Sequence, residues 1–280
     1  MNTIKENMPF DDYRAIEAIN ASAIAHGETS MLHMHTAMTS NIDSQTPAMR
    51  WGSLSHAITL ELVRFMNTAA VWDGATRRGK AWDEFKANAA DPELIVTDSE
   101  MQQLATMQAM LGKNKTAMDL IDNSKREVSL QWESSAYGKA KARLDIYKPN
   151  EANGCGGYIA DYKTTRSINP SAFFRSAYNL AYHVRMGWYV AGVEAITGER
   201  LPVYMIVQES SAPYDCFVCM MPDKIVDIGM EAAKEIATAY NIASHLGRYD
   251  GAVDGMIEYE LPAWAIGGDN AEVNMEGVEL

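Results

Sequence analysis

Three strand-like runs in succession, between Arg126 and Thr165, constrain the fold more than any other stretch of the chain. "REVSLQWES" alternates apolar and polar residues, the turn "SSAYG" follows, and "YGKAKARLDIY" alternates again, the pattern of a β-hairpin. The polar loop "KPNEANGCG" then leads into "GYIADYKTT", which has the apolar character of a buried strand. Helical patterns stand on both sides. "DDYRAIEAINASAIAHG" reads as a helix stopping at Gly27, and "MRWGSLSHAITLELVRFM" as a longer one from Met49 to Met66. A polar, locally basic segment follows, Asp73 to Ala90. In "IVTDSEMQQLATMQAMLGKN", Thr97 and Glu100 have capping-box spacing, and Leu104, Met107 and Leu111 recur on one helical face.

After the three strands, Asn169 and Pro170 open a helix, and "AYHVRMGWYVAGVEAITG" runs to Gly198. "PVYMIVQES" and "DCFVCMMP" read as strands, and "PDKIVDIGMEAAKEIATAYNIASHLG" as a long closing helix. The order predicts an α/β (α+β) fold with a mixed central β-sheet flanked by helices. Residues 1–265 are expected to form one domain with a helical N-terminal part, and 266–280 an acidic flexible tail.

The charge balance narrows the function. Twenty-four Lys and Arg against 37 Asp and Glu give −13, unlike a protein that coats nucleic acid through a basic surface. An enzyme with a locally basic groove stays open. No run reaches the ~18–20 apolar residues of a membrane span, and the first residues lack the basic and apolar regions of a signal peptide. A cytoplasmic protein with no membrane partner is expected. Cys216 and Cys219 have CxxC spacing, but on a strand their thiols face opposite sides, and no second CxxC exists; no metal or redox centre is expected there.

Asp161 and Lys163 sit two apart in "GYIADYKTT" and so share one face of the strand. Asp145 lies sixteen residues earlier, near the end of the preceding strand. Adjacent strands bring facing side chains to within ~5 Å, so a matching register makes a two-carboxylate cup. Carboxylates that close repel, and a hard divalent cation such as Mg²⁺ is their natural partner. Lys163 beside it would orient a water and offset phosphate charge. Standing alone, such a pair is more often a solvated ion pair.

"RLDIY" followed by "GYIADYKTT" resembles the core motif of PD-(D/E)xK nucleases, with Asp145, Asp161 and Lys163 on its two acids and its lysine. Within the RecB-like group the chain looks most like the RecE-type (exodeoxyribonuclease VIII-like) phage exonucleases. "MRWGSLSHAITLE" resembles their helical motif, with His56 as the metal-side histidine and Glu61 as the trailing acid. "QWES" resembles a family strand with Glu133 at the acidic position. "LAYHVRMGWYVAG" resembles the helix carrying Gln-x-x-x-Tyr; here the pair is Arg185 and Tyr189, a departure that replaces an amide with a phosphate-binding guanidinium. For Tyr182, Trp188 and Tyr189, core packing is an equal reading. "YELPAWA" resembles the closing segment, so the resemblance runs from about residue 10 to 265.

The resemblance implies a PD-(D/E)xK nuclease-like fold and a Mg²⁺-dependent 5′→3′ exonuclease, with Mn²⁺ as a substitute. It would act on linear double-stranded DNA and leave a 3′ single strand for an annealing protein of the RecT type. It implies metal ligation by His56, Asp145, Asp161 and the Tyr162 carbonyl, with Lys163 positioning the water. DNA contacts would come from Thr164, Thr165, Arg166, Arg185 and Tyr189, and from Arg77, Arg78, Lys80 and Arg175 on a basic inner surface. A homo-oligomeric ring, with a tetramer favoured, and a phage or prophage origin in a bacterial host follow from the same likeness. Two alternatives stand beside it: a RecB-like nuclease acting on single-stranded or internal sites, and a non-catalytic DNA-binding protein on this fold. The intact Asp145, Asp161 and Lys163 set speaks against the second.

Overall fold

The computed structural model of the chain describes residues 2–40, 45–152 and 154–260. The tail 266–280 and the "LPAWA" segment lie outside the described residues.

The N-terminal part is more broken than its periodicity predicts. Strand β1 (Thr3–Lys5) and helix α1 (Phe10–Ala15) precede β2 (Ile19–Asn20) and α2 (Ala21–Gly27), so the helix expected up to Gly27 is two. Lys141, far along the chain, donates to the carbonyls of Tyr13, Arg14 and Ile16 at 3.0, 3.1 and 2.7 Å and ends α1. The Asn20 side chain accepts from the Ala23 N–H and starts α2. Gly27 ends α2 without a left-handed turn; a Cβ there would sit 2.3 Å from Ile236. After α3 (Met31–Thr39), the stretch read as one helix from Met49 to Met66 divides at Glu61 (φ −120°, ψ 42°) into α4 (Pro47–Leu60) and α5 (Leu62–Thr68). β3 (Ala70–Val71) precedes the basic segment, which carries α6 (Lys80–Asn88), and a 3₁₀ turn leads to β4 (Ile95–Val96), which pairs with β3.

Helix α7 (Asp98–Leu111) begins with the capping box of Thr97 and Glu100, as its sequence predicts. Then come α8 (Lys115–Asp122), the hairpin β5 (Lys125–Ser134) and β6 (Gly138–Lys148), and β7 (Tyr158–Thr165). Helices α9 (Pro170–Asn179) and α10 (Tyr182–Thr197) cross over to β8 (Val203–Glu209), followed by β9 (Cys216–Met221) and α11 (Asp223–Leu246). Among the described residues the main sheet has seven strands in the order β1-β5-β6-β7-β8-β9, with β2 parallel beside β6. Only β7 and β8 pair in parallel along that path, as a helical crossover requires. The expected mixed sheet flanked by helices is the observed one.

One face of the sheet packs Leu130, Trp132 and Leu144 against Trp188 and Val190 of α10 and Ala233 of α11. The other packs Ile146, Tyr162 and Ile206 against Leu111 of α7 and Ile121 of α8. Each fully buried aliphatic side chain contributes about 1.5–3 kcal/mol. Cys216 belongs to the second cluster and Cys219 to a separate one around Phe173, so the CxxC thiols do face opposite ways. Burial pushes Cys216 up to about 12 and Cys219 upward too, which disfavours thiolate ligation. Helices α10 and α11 cross with their backbones in contact: a Cβ on Gly229 would lie 2.0 Å from the His183 carbonyl oxygen, and one on Gly187 would lie 2.2 Å from the Met230 nitrogen. No helix among the described residues is long and apolar enough to cross a membrane.

Arg77 and Arg50 converge on Glu100, Arg50 Nη1 at 2.8 Å, and Arg50 also donates to the Ile95 carbonyl. Burial alone would raise the Glu100 carboxyl, but the hydrogen bonds from Arg77 and Arg50 outweigh it and hold it at about 2. A depressed carboxyl stabilises the fold fully above its unfolded value and loses that contribution as pH falls through the folded one. Urea unfolding should therefore show Glu100→Gln less stable than wild type at pH 7, with the gap narrowing by pH 3. An equal gap at both pH values would contradict this account of the network.

Candidate active site

The hairpin register fixes the site. Arg126 pairs with Ile146 and Val128 with Leu144, so Glu127 stands opposite Asp145. Ile146 pairs with Ala160, and one further step sets Asp145 opposite Asp161. The hydrogen-bonded ladder omits both carboxylate pairs. Three acids, one per strand, thus form a row where the sheet loosens. Two distortions accompany it. Glu127 has φ 55°, a left-handed conformation that costs a non-glycine residue about 1–3 kcal/mol and clusters at functional sites. Leu144 and Ile146, two apart, pack in different cores, so β6 changes face at Asp145.

Helix α4 brings His56 over the row. Its Nε2 lies 3.2 Å from Glu127 Oε1 and 3.3 Å from Asp145 Oδ1, and one ligand atom from each of the three residues lies within 4.8 Å of the others. Asp145 Oδ2 accepts the Tyr162 N–H at 3.0 Å. Lys163 forms an ion pair with Asp161, lies 3.8 Å from Asp145 Oδ2, and donates to the Tyr162 carbonyl at 3.3 Å. Its ammonium also sits 5.6 Å from the Tyr182 ring centre. Asp161 is 1% exposed, and its Oδ1 accepts no hydrogen bond among the described residues.

The charges are strongly coupled. Burial would lower the His56 imidazole, but Asp145 and then Glu127 outweigh it and raise it to about 9. Asp145 is held well below the usual carboxylate range, because His56 and Lys163 overcome its burial. Burial raises Asp161 up to about 6, with the Lys163 charge working against it and that of Asp145 adding to it. Burial also raises Glu127, opposed by His56 and Arg143. Carboxylates crowded this closely, with a spare buried oxygen on Asp161 and an imidazole nitrogen among them, are a donor set that fits a divalent cation.

Asp145, Tyr162, Lys163, Thr164, Arg166, Arg185 and Tyr189 line one groove of about 1760 Å³. Thr165 lines it too, with its hydroxyl already bonded to Ser167. The Arg185 Nε is buried and has no hydrogen-bond partner among the described residues. Tyr182 and Tyr189 face the groove, whereas Trp188 is core, its Nε1 donating to the Lys141 carbonyl. Arg77 is held by Glu100, and Arg78 lies exposed on the same segment, outside this groove. Glu61 caps α4 and pairs with Arg64 at 2.9 Å rather than joining the carboxylate row.

Glu133 sits near the turn end of β5, opposite Lys139 and six residues from the acid that reaches the cluster. That acid is Glu127, which the sequence reading did not select. The signal was present: a hairpin that pairs Ser134 with Gly138 sets residue 127 against residue 145.

The family model of a PDDEXK-like domain of unknown function (DUF3799) matches residues 21–246. Among solved structures, the chain is similar to a "Putative exonuclease" from Eubacterium rectale, at 15% identity and TM-score 0.63, over 95% of this chain and 100% of that one. A second structure, of SSO0001, matches at 11% identity over 74% of this chain and 82% of that one, with a TM-score of 0.28. No curated protein matches significantly.

Proposed function

The chain belongs to this PDDEXK-like family, and from that premise we propose that it is a metal-dependent deoxyribonuclease. The observation that carries the reading is the carboxylate row of Glu127, Asp145 and Asp161, closed by His56 above and Lys163 beside it. His56, Glu127, Asp145, Asp161 and the Tyr162 carbonyl would hold a divalent ion, Mg²⁺ or Mn²⁺. When bound, such an ion supplies an activated water and offsets charge on the phosphate.

The chain's own residues do the rest. Lys163, pinned between Asp161 and Asp145, presents a fixed ammonium where a phosphate would lose its hydration shell. Arg14, Arg166 and Arg185 line the groove with no carboxylate partner among the described residues, so the groove stays attractive to a phosphate backbone on a chain of net charge −13. Thr164, at the groove floor beside Gly52, adds a neutral hydroxyl.

The finer reading rests on the RecE-type motifs: digestion of linear duplex DNA from the 5′ end by a ring of identical subunits, leaving a 3′ strand for an annealing partner. Purified protein with Mg²⁺ should degrade end-labelled linear duplex from its 5′ ends, leave closed circles intact, and stop in EDTA. Cutting of closed circles would overturn the exonuclease reading. Preference for single strands would move the protein to a RecB-like nuclease of different substrate. Inactivity on every DNA with either metal would favour a binding protein. The mass in solution checks the ring.

A further inference from the structure

Glu127 reaches the cluster only in a backbone conformation that few side chains adopt. We propose that Arg143 is a positioning residue for the metal centre, holding Glu127 so that one carboxylate oxygen faces His56 and Asp145. The inference rests on the metal-centre reading above.

Arg143 stands on β6 two residues before Asp145, opposite Ser129. Its Nε donates to Glu127 Oε2 at 2.5 Å. Its Nη1 donates to the Met8 carbonyl at 2.8 Å, and the guanidinium lies 5.6 Å from the Phe10 ring centre. The side chain is only 11% exposed. The guanidinium is thus gripped by the N-terminal segment on one side and grips the acid on the other. With Oε2 occupied, Glu127 Oε1 is the oxygen turned to His56, and it accepts no hydrogen bond among the described residues. The planar fork of arginine serves both partners at once, whereas a lysine ammonium supplies charge without that geometry. Nothing else among the described residues pairs with Oε2. Without Arg143 the strand is free to relax to an ordinary φ, which swings the carboxylate out of the row.

The test is a calorimetric titration of Mn²⁺, with no DNA present, into wild type, Arg143→Gln, Glu127→Gln and the double variant. Groups that orient metal ligands typically carry about 10–100-fold in affinity, and Arg143→Gln should lose that much. The double variant should bind no more weakly than Glu127→Gln alone, because both changes act through the same Glu127 carboxylate. Wild-type affinity in Arg143→Gln, or losses that multiply in full in the double variant, would overturn the proposal. Thermal melts accompany each titration. If Arg143→Gln lacks a cooperative melt, Arg143→Lys takes its place; about tenfold weaker binding is expected, and wild-type affinity there overturns the proposal equally. A wild-type protein that binds no Mn²⁺ would instead bring down the metal-centre reading itself.

Discussion

Lys163→Ala should lose about 10²- to 10³-fold of the proposed hydrolysis while keeping its sheet, a loss comparable to deleting one preorganised charge-stabilising donor. The ammonium has three contacts within the site, to Asp161, Asp145 and the Tyr162 carbonyl, and stands over the Tyr182 ring. None of the hydrophobic clusters includes it. The packing of β7 comes from Ile159, Ala160 and Tyr162, which the substitution leaves in place. Removing the lysine does leave Asp161 buried without its counter-ion, so some stability is lost. Initial rates on linear duplex, paired with circular dichroism, separate the two roles. A lost rate with a native spectrum fits the catalytic role; loss of both together would make the Asp161–Lys163 pair a structural one.

Gly229→Ala should give the largest loss of stability from a single methyl group, about 3 kcal/mol or more. The new carbon would sit 2.0 Å from the His183 carbonyl oxygen, and backbone cannot rotate aside as a side chain can. Helices α10 and α11 must then part, and α10 carries Tyr182, Arg185 and Tyr189 on the groove side. Activity should fall with stability for that reason. Gly52→Ala in α4 is the contrast. Its new carbon meets only Thr164 Oγ1 at an ordinary 3.5 Å, so alanine should stabilise that helix by about 0.5–1 kcal/mol. Chemical denaturation of both variants checks the pair, and an unchanged Gly229→Ala would mean the two helices adjust freely.

The sheet was legible from apolar–polar alternation in the hairpin from Lys125 to Lys148, and from short apolar runs in β7 and β8, whose residues are mostly buried on both faces. The Asp145 and Asp161 neighbourhood followed from strand adjacency alone. What escaped depends on partners distant in sequence. The end of α1 is set by Lys141, more than a hundred residues away, and local periodicity from Asp11 to Gly27 carries no trace of it. β1 and β2 are three and two residues long and exist only through β5 and β6. Glu127 is hidden from motif matching because Glu133 in "QWES" occupies the motif's acidic position, although the turn position aligns residue 127 with Asp145. Its positive φ has no sequence signal at all, since nothing about a glutamate announces it.

The carboxylate row spans three strands, with its histidine on a helix that precedes them all. A chain still emerging from the ribosome therefore possesses the early half of the cluster, His56 and Glu127, long before Asp161 and Lys163 exist. Even then, β7 must find its neighbour β8 across two intervening helices before its far edge is covered. Nascent chains and proteolytic fragments that stop short of Asp161 lack both that carboxylate and the Lys163 ammonium, and so the complete site. Completeness of this kind needs no further device: the order of synthesis withholds the full set of groups until the third strand exists.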